Sequence, residues 1–252
     1  MTAPLMEVKG LAKSFGKVVC AQDLNIVFEA GVLTSIIGPN GAGKSTLINI
    51  ITGSLKADAG RIYFQGKDIT RLPIHRRVKQ GLCRSFQVVN VFPHLTVFEN
   101  VGIPVLTAQR RGRGFWRPLA KETRVHEEVT ALLTRVGLAE EAGLLARELS
   151  HGDQRLLEVA IALAARPSLL FLDEPTAGMN PVERVRIMED IRRLNDEGVT
   201  TFVIVEHDMD VVFSLSDRIL VLHRGEIICD GDPARVSSDD LVRECYLGEE
   251  VA

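Results

Sequence analysis

The chain is poor in the features that would mark a secreted, membrane-spanning or nucleic-acid-binding protein. Its four cysteines, Cys20, Cys83, Cys229 and Cys245, stand far apart and form no C-x-x-C pair. Neither a disulfide framework nor a zinc site is expected, and a reducing cytoplasm fits best. Aromatic residues are 5% of the chain, with a single tryptophan. No uncharged apolar run approaches the ~20 residues needed to cross a bilayer, so a membrane role must come through a partner. The first ten residues carry Glu7 and Lys9 in place of an apolar centre, and no signal peptide is expected. A formal net charge of -3 lacks the basic surplus of most nucleic-acid binders. What remains is an ordinary globular balance, 46% hydrophobic and 25% charged, over 252 residues, long enough to bury a substantial core.

The opening third reads as short strands and turns. Residues 5–8 and 18–28 carry β-branched side chains, and residues 61–64 follow the turn signal Asp58-Ala59-Gly60. Val32-Leu33-Thr34-Ser35-Ile36-Ile37 is a compact apolar run of the kind buried in a parallel sheet, and a helix is expected from Gly43 to about Thr52. Residues 121–136 place Val125, Val129, Leu132, Leu133 and Val136 at helical spacing, and a second helix is predicted over 152–165. Strands over 169–172 and 200–205 flank a helix opened by Pro181 and closed by Gly198, the usual placement of those two residues. Alternating strands and helices imply an α/β fold with a mainly parallel sheet. The basic, glycine-broken segment 110–117 reads as a loop. Its arginines, Phe115 and Trp116 leave contact with lipid headgroups or RNA open beside the plain solvated-loop reading, headgroups being the more natural of the two.

Gly38-Pro39-Asn40-Gly41-Ala42-Gly43-Lys44-Ser45 matches G-x-x-x-x-G-K-[ST] between a strand and a helix. Glycines let the backbone turn its N–H groups onto phosphate oxygens, and the helix N-terminus that follows, with Thr46 in its first turn, adds positive potential. Lys44 reaches the β- and γ-phosphates, and Ser45 offers a hydroxyl to Mg²⁺. Further on, Leu169-Leu170-Phe171-Leu172-Asp173-Glu174 is an apolar strand ending in two acids. Side chains alternate along a strand, so the two carboxylates serve different ends. Asp173 would hold Mg²⁺ through its water shell and Glu174 would polarise the attacking water. His207 follows another buried strand, where α/β proteins bind ligands. His75, His94, His126 and His223 are read as structural.

Leu149-Ser150-His151-Gly152-Asp153-Gln154, just before the Asp173 strand, resembles the signature motif of ABC ATPases, and the resemblance covers essentially the whole chain. It implies a P-loop ABC ATPase fold: a mainly parallel core sheet, an antiparallel β subdomain and a helical subdomain. A single domain is expected, with its core in residues 1–87 and 166–252 and the helical subdomain at about 88–165. Gln87, in Arg84-Ser85-Phe86-Gln87, matches the Q-loop glutamine, a catalytic and metal-binding position. Phe15 matches the aromatic residue that stacks on adenine, Ala177-Gly178-Met179-Asn180 occupies the D-loop, and the family resemblance implies that His207 senses the γ-phosphate. The resemblance further implies two such subunits, identical or paralogous, paired head to tail. Each ATP would lie between one P-loop and the other subunit's Ser150, Gly152 and Asp153. Permease subunits, and through them a solute-binding protein, complete the expected assembly, placing the chain on the cytoplasmic face of the membrane. No nucleic-acid partner is expected.

Within the family the chain looks most like the ATP-binding subunits of branched-chain amino-acid uptake systems. That likeness rests on Arg84-Ser85-Phe86-Gln87, Ala177-Gly178-Met179-Asn180-Pro181, Glu206-His207-Asp208-Met209 and the ending Tyr246-Leu247-Gly248-Glu249-Glu250. Urea, amide and lipopolysaccharide-export ATPases have similar endings. His151 and Asp153 stand where the usual signature has glycine and glutamine, and Asn180 stands where a D-loop aspartate is common. A soluble ABC ATPase acting on DNA or the ribosome is the reading from another class. The chain has neither the long coiled coil of the repair proteins nor the second ATPase domain of most ribosomal ones.

Overall fold

A computed structural model describes residues 4–85, 91–108 and 123–247. Gln87, the basic segment 110–117 and the end of the chain from Gly248 lie outside them. Two sheets organise the described residues. The first is antiparallel, in the order β2 (Val18–Phe28), β1 (Met6–Phe15), β4 (Ala59–Phe64), β5 (Lys67–Asp68). The second runs β10 (Glu226–Gly231), β9 (Arg218–His223), β3 (Thr34–Ile37), β8 (Thr201–Val205), β7 (Leu169–Asp173), β6 (Leu82–Arg84). Five of these strands are mutually parallel, and only β10 pairs antiparallel, with β9.

The burial of each strand follows its cover. Every residue of β3, β7 and β8 is buried, which is why these strands read as continuous apolar runs rather than alternations. Along β2 the buried Ala21, Leu24, Ile26 and Phe28 are separated by the exposed Gln22, Asp23, Asn25 and Val27, as expected of a sheet wetted on one side. The helix α1 (Lys44–Thr52) packs Leu47, Ile48 and Ile51 into one core with Met6, Phe28 and Phe64 of the antiparallel sheet and Ile36, Phe171 and Val203 of the parallel one. The rings of Phe28 and Phe171 meet edge to face, 5.8 Å apart, and tie the two sheets together.

The opposite face of the parallel sheet carries Leu170, Leu172, Phe202 and Ile204. Most of that core's helical residues come from α3 (Val97–Ala108), α4 (Thr123–Arg135), α5 (His151–Leu163) and α6 (Pro181–Asp196), and Val211 adds to it. In α4 the buried residues are Val125, Val129, Leu132 and Leu133, the stripe predicted from their spacing. Each such side chain contributes roughly 1.5–3 kcal/mol on burial. Helix α7 (Met209–Leu215) follows β8, and two short helices, α8 (Pro233–Ser238) and α9 (Asp240–Val242), follow β10.

The far end of α1 is held by a side chain the sequence reading did not single out. Arg77, on α2 (Ile74–Lys79), is buried and donates to the carbonyls of Ile50, Ile51, Thr70 and Leu72 at 2.5–3.0 Å. A guanidinium at a helix C-terminus satisfies the last carbonyls and complements the dipole. Gly53, at φ 89°, ends α1; a Cβ there would stand 2.8 Å from Arg77 Nε.

Candidate functional site

The loops that leave the carboxyl ends of β3, β7 and β8 converge, and in an open α/β sheet that is where ligands bind. An open cleft of about 680 Å³ lies there, lined by residues 38–42 with Glu174, His207, His223 and Arg224. The strand order explains the meeting. Strand β8 lies between β3 and β7, so the P-loop, the acidic strand end and His207 come from three adjacent strands far apart in sequence.

Two glycines of the loop are dictated by close backbone contacts. A Cβ on Gly38 would sit 2.0 Å from the Leu222 carbonyl oxygen, and one on Gly43, at φ 105°, 2.2 Å from that of Cys20. The loop is therefore pressed between β2 and β9, with Asn40 and Gly41 toward the cleft. Lys44 Nζ donates to the carbonyls of Gly38 and Pro39 at 2.5 and 3.1 Å. Burial pushes the Lys44 ammonium below the ordinary lysine range, and the charges of Glu174 and Asp173 offset part of that fall. Ser45 and Thr46 lie in the first turn of α1, Ser45 exposed and Thr46 half-buried.

The two acids separate as their alternation predicts. Asp173 is buried and meets Arg84 Nη2 at 2.6 Å, while Arg84 Nη1 donates to Asn49 Oδ1 of α1 at 2.5 Å. Glu174 takes a left-handed backbone, φ 47°, and its N–H donates to Val205 O at 2.9 Å. That conformation costs a non-glycine residue about 1–3 kcal/mol and is characteristic of functional turns. Its carboxylate lies 4.0 Å from His207 Nδ1, and His207 is largely exposed.

His223 and Arg224, which the sequence reading left out of the site, also line the cleft. Both lie where β9 turns into β10, and no motif marks them. Only the pairing of β9 beside β3 brings them to the P-loop.

The signature residues are not in this cleft. Ser150 caps α5: its Oγ accepts from the Asp153 N–H at 3.1 Å and its hydroxyl donates to Asp153 Oδ2 at 2.7 Å. Arg186 of α6 stands 3.6 Å from the other Asp153 oxygen. Gly152 is buried near Glu183. Asn180 caps α6 in a reciprocal box with Glu183, accepting its N–H at 3.0 Å and giving its own at 3.2 Å. Asn serves there as well as Asp. Phe15 stands half-exposed at the end of β1, with Lys13 Nζ 5.1 Å from its ring centroid, also outside the cleft.

The cleft suits a nucleoside triphosphate: a backbone cradle and a lysine for the phosphates, and a carboxylate with a histidine at the far side. Among the described residues no group of three or more His, Cys, Asp or Glu side chains could hold a metal by itself. Ser45, in the first turn of α1, and Asp173, at the end of β7, are oxygen donors of the kind that would suit Mg²⁺ bound together with substrate phosphates.

These features define a P-loop nucleotide-binding protein. Residues 21–177 match the ABC transporter family, and residues 226–252 match the branched-chain amino acid ATP-binding cassette transporter family. The chain is 36% identical to the high-affinity branched-chain amino acid transport ATP-binding protein LivG of Escherichia coli, over 99% of this chain and 100% of that one. Among solved structures, the ADP conformation of an ATP-binding cassette of an ABC transporter superposes with a TM-score of 0.86 at 34% identity, covering 98% and 100% of the two chains. A dimeric cassette in a post-hydrolysis state, bound to ADP and Pi, gives 0.74 at 27% identity over 90% and 98%. The chain belongs to the ABC transporter family and carries its ATP-binding cassette.

Proposed function

We propose that this chain hydrolyses ATP to drive an importer of branched-chain or other hydrophobic amino acids. The observation that carries the ATPase reading is Glu174, set across one cleft from the P-loop and 4.0 Å from His207. A carboxylate so placed can take the proton of water as its oxygen attacks the γ-phosphorus and the bond to ADP breaks. Lys44 and the loop N–H groups hold the phosphates, and His207 faces the γ-phosphate. Ser45, Asp173 and Gln87 are the residues that would hold Mg²⁺, which would supply positive charge to offset that of the phosphates. Phe15 offers an exposed aromatic face for adenine.

Since Ser150, Gly152 and Asp153 lie outside the cleft, they are assigned to the γ-phosphate of a second cassette, identical or paralogous, facing head to tail. Residues from about 88 to 165 are assigned to the helical subdomain of a single domain. No described helix is long and apolar enough to cross a membrane, so attachment to the inner face of the cell membrane would come through permease subunits. A periplasmic or extracellular binding protein would deliver the solute. The import assignment is supported by the similarity to LivG and the match of residues 226–252.

The test is Glu174→Gln. It should keep nucleotide affinity, form an ATP-dependent dimer on size-exclusion chromatography, and lose about 10²–10⁴-fold in turnover. Turnover unchanged by the substitution would remove Glu174 from the chemistry.

A further inference from the structure

Glu206 precedes His207 and runs into the protein, with its Oε2 3.9 Å from His207 Nδ1. Its side chain is fully buried, and among the described residues no lysine or arginine pairs with it. It is held by three neutral donors. Oε1 accepts from the Thr176 N–H at 3.0 Å and from the Thr176 hydroxyl at 2.6 Å, and Oε2 accepts from the His207 N–H at 3.2 Å. Thr176 is two residues beyond Glu174 and opens the turn that leads to Asn180, and the Met179 N–H closes back on the Thr176 carbonyl at 3.2 Å. One carboxyl group thus joins the backbone of the turn after the acidic strand to the backbone of the histidine.

A second link runs in parallel. Arg184, in the first turns of α6, donates from Nε to the Met179 carbonyl at 3.0 Å and from Nη1 to Asp208 Oδ2 at 2.6 Å. Asp208 also caps α7, accepting from the Val211 N–H at 3.3 Å. The turn 176–180 is therefore fastened to the segment 206–208 at both ends. Burying a carboxyl group costs several kcal/mol unless its oxygens are satisfied. An apolar residue would fill this space without that cost, but it could not bridge three donors on two loops.

We propose that Glu206 is a positioning residue that makes the turn 176–180 and His207 one rigid unit, so that displacement of the turn by a facing cassette moves the imidazole relative to Glu174. This rests on the ATPase reading of the cleft, and it assigns Glu206 no contact with substrate.

Glu206→Gln tests it at nearly constant volume. Whichever way the amide turns, its NH₂ faces a donor, and either the Thr176 link or the His207 link is lost. Thr176→Val removes the hydroxyl donor from the other side. Each variant of the full chain should lower kcat about tenfold or more, as expected when a catalytic group is misplaced by a fraction of an ångström, with the Kd for a fluorescent ATP analogue within about twofold. The double variant should be no slower than the slower single one. Hydrogen exchange should rise together in peptides spanning 174–180 and 205–210 in either single variant. Unchanged kcat, additive losses in the double variant, or faster exchange in only one of the two segments would overturn the proposal. If Glu206→Gln does not fold, Thr176→Val carries both readouts. A wild-type chain that binds ATP without hydrolysing it would count against the ATPase reading instead, and the exchange experiment would still decide whether the two segments move as one.

Discussion

Arg84 grips the Asp173 carboxylate at 2.6 Å with one amino group and Asn49 of the P-loop helix at 2.5 Å with the other. It stands at the end of β6, three residues before Gln87, and its two bonds span from the acidic strand to α1. The pair is largely desolvated: the Asp173 side chain is 2% exposed and that of Arg84 17%. Removing one partner of such a pair leaves a buried charge uncompensated.

Arg84→Met should therefore lower stability to urea by about 3 kcal/mol, near the lower end expected for breaking a buried pair. Asp173→Asn added to it should restore part of the loss, because the stranded charge is then gone. Equal loss in the single and double variants would assign the effect to packing around the Arg84 stem instead.

Lys44 supplies a pH dependence of two opposite signs. Its pKa in the folded chain is depressed, chiefly by burial. Between that value and the unfolded one near 10.4 the unfolded chain binds more protons, so this residue's contribution to stability rises with pH. Phosphate binding needs the ammonium and runs the other way. Affinity for ATP should fall with rising pH, starting below the ordinary lysine range, and Lys44→Arg should flatten that fall because a guanidinium stays charged. Fluorescent-nucleotide titrations across the alkaline range check this. An equal decline in the arginine variant would assign the titration to another group.

Asp153 stabilises its own helix through Ser150 and is partly neutralised by Arg186 3.6 Å away. Facing a triphosphate across a closed dimer, its charge would still repel. Two unit charges ~6 Å apart at an effective dielectric of ~20 cost roughly 3 kcal/mol before any screening. The first-turn carboxylate contributes only about 0.3–1 kcal/mol to the helix. Asp153→Gln should thus raise ATPase turnover at low ionic strength and lower the melting temperature by no more than a few degrees. Unchanged turnover with a lower melting temperature would leave Asp153 as a helix cap alone.

The amino-acid order by itself determined whatever depends on neighbours along the chain. The apolar runs of β3, β7 and β8, the stripe of α4, and the opening of α6 at Pro181 were legible because burial on both faces, helical periodicity and capping are local patterns. The P-loop was legible for the same reason: its glycines, Lys44 and Ser45 act through one continuous loop. Strand β6 and the β9–β10 hairpin were not picked out, since three-residue strands and short β-branched segments carry little periodicity of their own. Strand β1 runs to Phe15, well past the residues 5–8 read from its composition, because pairing with β2 on one side and β4 on the other extends it.

Only the tertiary structure decided which distant residues share a site. The order β9-β3-β8-β7-β6 brings His223 and Arg224 to the P-loop, sets Arg84 on Asp173 and buries Glu206 between Thr176 and His207. Those contacts are made across strands by hydrogen bonds and charge pairs, and nothing in the spacing of residues along one strand encodes its partner in the sheet.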